Sequence, residues 1–174
     1  IMAISGILSL ILPLMSTLPI RSDSYGWMDL VETTMSSGTT ANPNQYTRWP
    51  IFWIFGAELA TVSGIDIFSL FRFTPTLFLI VAPLYFYLIS RELLVEIKAS
   101  LYGSLLFALT THQTHLCPAL LGWFLLLLLI YLLSKSANTK CVKFTSLFVV
   151  LALTLIAEHH FSSLILVLLV TSFV

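Results

Sequence analysis

Acids, arginines and histidines are scarce in this chain, and most of them stand near the ends of apolar runs. Asp23 is the sharpest of these residues. It lies three residues past the uncharged run 1–20, where a carboxylate meets lipid on one side and water on the other. A carboxylate so placed can take a proton from an incoming hydroxyl. Its bland counterpart is a surface acid in a solvated loop. Asp29 and Glu32 follow in the same polar stretch. His112 and His115 are three apart, so on a helix they share a face. That spacing suits a metal ion, or a phosphate once the rings are protonated; the alternative is interfacial histidines capping a helix end. His159 and His160 are adjacent and diverge by about 100° on a helix, so they do not readily share one ion. Glu158 immediately precedes His159 and is a candidate to orient its imidazole. Arg21, Arg48 and Arg72 carry planar guanidinium groups suited to phosphate, although snorkelling side chains look the same in sequence. Tyr46, Trp49 and Trp53 are either an interfacial aromatic belt, the commoner case, or a stacking surface for a sugar. Glu58 either pairs with Arg48 or Arg72 or sits on the wet face of a helix, the reading preferred here. No Walker, Rossmann, CxxC, HExxH or GxSxG pattern is present.

The elements that must position these residues follow from composition. Of 174 residues, 58% are hydrophobic and 9% charged, with a net charge of zero. Mean hydropathy is +0.99. Soluble domains carry about 25% charged residues. An ordinary soluble domain and a disordered chain are therefore excluded. A nucleic-acid binder is excluded too, because no basic footprint exists for phosphate backbones. The expected fold is all-α: a polytopic transmembrane helical bundle.

Six spans are expected, over 1–20, 67–90, 99–117, 118–133, 144–157 and 161–174. The first lacks the basic flank of a signal peptide. The last is too short to cross, and the chain opens on Ile1, so it is taken as an N-terminal fragment. The stretch 21–49 is polar and Ser/Thr-rich, and is expected as a long external loop. Residues 50–65 are expected as an amphipathic interfacial helix. Loops 91–98 and 134–143 hold Arg91, Lys98, Lys135, Lys140 and Lys143, so these are the cytoplasmic loops. Both histidine-bearing turns then face outward. If 50–65 crossed the membrane, charge asymmetry would improve, because Arg21 and Arg48 would turn inward. That crossing would put Glu58 at mid-bilayer at a cost of roughly 2.5–3.5 kcal/mol. The interfacial placement is preferred. Cys117 and Cys141 fall at opposite ends of one span and cannot pair.

The order of features resembles the GT-C superfamily of membrane glycosyltransferases, which use sugars linked to polyprenyl phosphate. The matching residues are Asp23-Ser24-Tyr25, Met35-Ser36-Ser37-Gly38 and Tyr46-Thr47-Arg48-Trp49-Pro50. Ser63-Gly64-Ile65-Asp66, Arg72-Phe73-Thr74-Pro75 and Tyr87-Leu88-Ile89-Ser90-Arg91 follow. The order is similar to dolichyl-phosphate-sugar, aminoarabinose-type and oligosaccharyltransferase relatives. Glu158-His159-His160-Phe161 resembles a segment of prokaryotic members and implies a prokaryotic cell membrane. The resemblance covers about residues 8–133. It implies Asp23 as general base or acceptor-orienting carboxylate, with arginines or a cation on the donor phosphate; Asp29, Glu32, Tyr46, Glu158 and His159 are candidates to meet the acceptor or to position the groups that do. Many relatives carry a second acid beside the catalytic Asp. Here Ser22 and Ser24 flank Asp23 instead, and a divalent cation, with His112 and His115 as candidate ligands, is left open. The competing expectations are a multi-span transporter and a non-catalytic membrane subunit.

Overall fold

A computed structural model describes residues 7, 10, 23–39, 51–94, 96–110 and 116–172, without the side chains of 23, 24, 94, 110 and 160. These residues form an all-helical structure. The first described helix, α1 (Asp23–Ser37), occupies the stretch expected as loop. The next, α2 (Ile51–Ser63), lies within the expected interfacial segment. They are followed by α3 (Ile67–Leu94), α4 (Ile97–Thr110), α5 (Pro118–Thr139), α6 (Val142–Glu158) and α7 (His160–Ser172). Two of them, α3 and α5, are long and apolar enough to cross a membrane. The expected span 1–20 lies outside the described residues, apart from two isolated positions.

Local chemistry sets the helix ends. Gly38 (φ 65°) and Gly64 (φ 66°) stop α1 and α2 in the left-handed conformation that glycine adopts without a Cβ penalty. Asp66 caps α3, its Oδ1 accepting the Ser69 backbone N–H at 2.9 Å. The Ser69 hydroxyl, and after it the Ser69 backbone N–H, hold the Asp66 carboxyl below the usual carboxylate range. Pro118 opens α5, where its missing N–H costs nothing. Lys140 ends α5 in the left-handed region (φ 51°), donating its N–H to the Ser136 carbonyl at 2.9 Å.

The long helices form two hairpins side by side. Across the first, α3–α4, the Phe86 and Phe107 rings stack at 4.9 Å. Small residues on α4 allow the approach: Ser100, Ser104 and Ala108 recur every fourth position and are buried. The second hairpin is α5–α6. Helices α3 and α5 run parallel: Phe78 on α3 meets Phe124 on α5, and further along both helices Glu92 meets Lys135. α7 folds back onto α5 and α6 around Leu126, Leu129, Leu155 and Leu166.

The two ends of the bundle differ. At one end Glu92 and Lys135 form an ion pair, Asn138 donates to Glu92 at 3.2 Å, and Ser136 and Thr145 share a hydrogen bond of 2.6 Å. Arg91, Lys98, Lys140 and Lys143 belong to the helix ends and turns here. At the other end α1 and α2 pack against the first turns of α3 and α5. Their shared core is Val31, Phe52, Trp53, Ala57, Ala60, Leu70, Phe71, Leu116, Cys117, Leu120 and Leu121. Cys117 and Cys141 therefore stand at opposite ends of α5, as expected.

Candidate functional site

α2 precedes α3 in the chain yet touches it sparsely. Phe52, at the start of α2, meets Phe71 with ring centroids 6.1 Å apart. A hairpin folded about the 64–66 turn would carry Phe52 about two turns further along α3. The helix instead lies across the end of the bundle. α1 is fastened beneath it: a Cβ on Gly56 would come within 2.8 Å of Val31, so glycine is what lets the two helices close. Trp27 stacks on Trp53 at 5.1 Å and meets Phe52 edge-on at 6.4 Å.

That aromatic cluster corrects one expectation. Trp53 is 1% exposed, so it is neither a belt residue nor a surface for a sugar. Its apolar neighbours on both sides, Phe52 and Ile54, left its facing ambiguous in sequence. Among the described residues its indole Nε1–H has no hydrogen-bond partner.

Glu158, the last residue of α6, is 1% exposed, and among the described residues neither carboxyl oxygen has a hydrogen-bond partner. The carboxyl faces the Phe52 backbone N–H in the first turn of α2, without closing a hydrogen bond to it. It lies one residue past the apolar run 144–157. Burial pushes the carboxyl up to about 9, against a smaller opposing pull from the Phe52 amide.

His159 turns away from Glu158. Its Nδ1 pairs with the Ser162 hydroxyl at 2.8 Å and accepts the Ser162 backbone N–H at 3.2 Å. The ring rests on α5 where Gly122 makes room: a Cβ there would come within 2.7 Å of the His159 Cβ. Glu158 therefore does not orient His159. A serine three residues on does so through the first turn of α7. Ser162 and Gly122 were not singled out in sequence, because only the packing of α7 on α5 gives them a role.

The remaining candidates divide. Asp23 is the first residue of α1, so its backbone belongs to this same end of the bundle. Asp29 and Glu32 are exposed on α1, and Glu58 is exposed on α2. Arg72 is half-buried in the second turn of α3, its guanidinium 5.1 Å from the Phe73 ring centroid. Arg21, Tyr46, Arg48, Trp49, His112 and His115 lie outside the described residues. Among the described residues no group of three His, Cys, Asp or Glu side chains is placed to hold a metal ion.

This end thus gathers the start of α1, the first turns of α2 and α3, and the α6–α7 junction. It can hold acids against an apolar wall, with a cation near the rim. Comparison with protein-family models, with curated proteins and with solved structures found no match.

Proposed function

We propose that the chain is part of a multi-pass membrane enzyme that transfers a sugar from a polyprenyl-phosphate-linked donor to an acceptor hydroxyl at the external face. The membrane is best read as a prokaryotic cell membrane. One observation carries this reading. α1 and α2 pack as a pair across the end of the bundle opposite the Lys/Arg-bearing turns, with Asp23 at the head of α1. Short cationic loops favour the cytoplasm, so the opposite end is the external one. The outer faces of α4, α6 and α7 support burial in lipid. Tyr102, Leu106, Val150, Leu153 and Leu168 are exposed there, an apolar surface that a water-soluble monomer rarely carries.

The chemistry suits such a position. The bond between the sugar's anomeric carbon and the donor phosphate breaks, and the polyprenyl phosphate leaves with the electron pair. The acceptor oxygen bonds to the anomeric carbon, and its proton passes to Asp23. Arg72, with Arg21 and Arg48 in the flanking segments, balances the phosphate charge. A lipid-linked donor requires a site open to the bilayer edge.

The test is sugar transfer by membranes containing the protein. A polyprenyl-phosphate-linked radiolabelled donor would be supplied to wild type and to Asp23→Asn. General-base loss lowers transfer by about 10²–10⁴-fold at unchanged expression. Equal transfer by both proteins would remove the catalytic assignment and favour a transporter or a non-catalytic subunit.

A further inference from the structure

We propose that Glu158 is a proton-controlled latch that fastens α2, and with it α1, to the α6–α7 turn. The inference does not depend on the sugar-transfer reading. It rests on an arrangement the fold does not otherwise explain. A carboxyl that is 1% exposed points at the first turn of α2 with both oxygens unpartnered. An unpaired ionised carboxylate is expensive to bury, and a neutral one much less so. Docking of α2 over Glu158 therefore favours the protonated acid, and ionisation favours an opened junction where water reaches the carboxylate.

Among the described residues on the elements packed against Glu158, no other charge takes over this role. Helix α2 has no ionisable side chain in its first two turns, and its one acid, Glu58, is exposed. Helix α5 has none of its lysines before Lys135, at the far end. On α1, Asp29 and Glu32 are exposed. His159 is engaged with Ser162 and faces α5. On α7 the only ionisable residue is His160, whose side chain lies outside the described residues. The direction follows from linkage. The folded carboxyl titrates near 9, above the ordinary glutamate value of 4.5. Docking is then firmest below the ordinary value and weakens as pH climbs toward 9.

A native reporter lies under the latch. Cys117 is buried in the same cluster as Phe52 and Trp53, so displacing α2 uncovers its thiol. The experiment follows N-ethylmaleimide labelling of Cys117 in a Cys141→Ser background, reconstituted in nanodiscs, from pH 6 to pH 8. Thiol ionisation alone gives a slope of about one in log rate against pH. A second proton lost from Glu158 in the opened state raises the slope to about two. Wild type should show the steeper slope and Glu158→Gln a slope near one, so their rate ratio grows by at least about tenfold across the range. A wild-type slope near one overturns the proposal, whether or not the variant folds. An equally steep slope in a folded Glu158→Gln overturns it too.

Discussion

The two ends of this bundle handle charge in opposite ways. At the lysine-rich end, Glu92 has an ionic partner in Lys135 and a hydrogen bond from Asn138, and all three stay in reach of water. At the aromatic end, Glu158 is buried with neither oxygen partnered, while Trp53 buries an indole N–H in the same state. Exposed paired charges cost little and contribute little. A buried unpaired acid is a standing penalty that the surrounding packing must offset. The lesson is a division of labour. The first end keeps its charges paired within reach of water; the second holds a polar group at the junction of α2 with the α6–α7 turn.

The largest effect expected from this contrast lies in the aromatic cluster. Phe52→Ala removes a ring that is 1% exposed and meets Trp27, Trp53 and Phe71, and should destabilise the fold by about 3–5 kcal/mol. Reversible unfolding in mixed micelles measures it, and a loss below about 1 kcal/mol would show that α1 and α2 are not cemented there. Gly122→Ala comes next. Its new Cβ collides with His159 and should cost about 1–3 kcal/mol while displacing the ring; histidine side-chain NMR shifts report the displacement. Ser162→Ala removes one hydrogen bond to the same ring, with an expected loss of about 1 kcal/mol in the same unfolding assay. Lys135→Ala closes the series. It breaks the ion pair with Glu92 and should cost under about 1 kcal/mol, and less still in high salt. A salt-insensitive loss comparable to that of Phe52→Ala would erase the contrast between the ends.

Much of the helical layout is legible in the sequence. Charged or proline-marked turns bound the apolar runs that become α3, α5 and α6, so composition changes sharply at their edges. The interior Pro75 and Pro83 do not break α3. Helix α1 is not legible. Its serines, threonines and acids suit a loop as well as a helix, and what decides is the packing of Trp27 and Val31 on α2. The site is half legible. Asp23 and Glu158 stand out as acids at the edges of apolar runs. The burial of Trp53 and the turning of His159 toward Ser162 are not visible, because both depend on contacts between helices distant in sequence.

In the proposed enzyme the head of α1 and the lysine-rich turns lie on opposite sides of a membrane. Single-cysteine labelling distinguishes the two sides, with Cys117 and Cys141 replaced. One probe goes at Gly26, one turn past Asp23, where an added side chain meets nothing within 4 Å. The other goes at Thr139, exposed at the end of α5. A membrane-impermeant maleimide added to intact cells should label Gly26→Cys and leave Thr139→Cys protected until the membrane is opened. Protection of both positions in intact cells would place them on one side. Asp23 would then be separated from the outer face, and the catalytic assignment would fall.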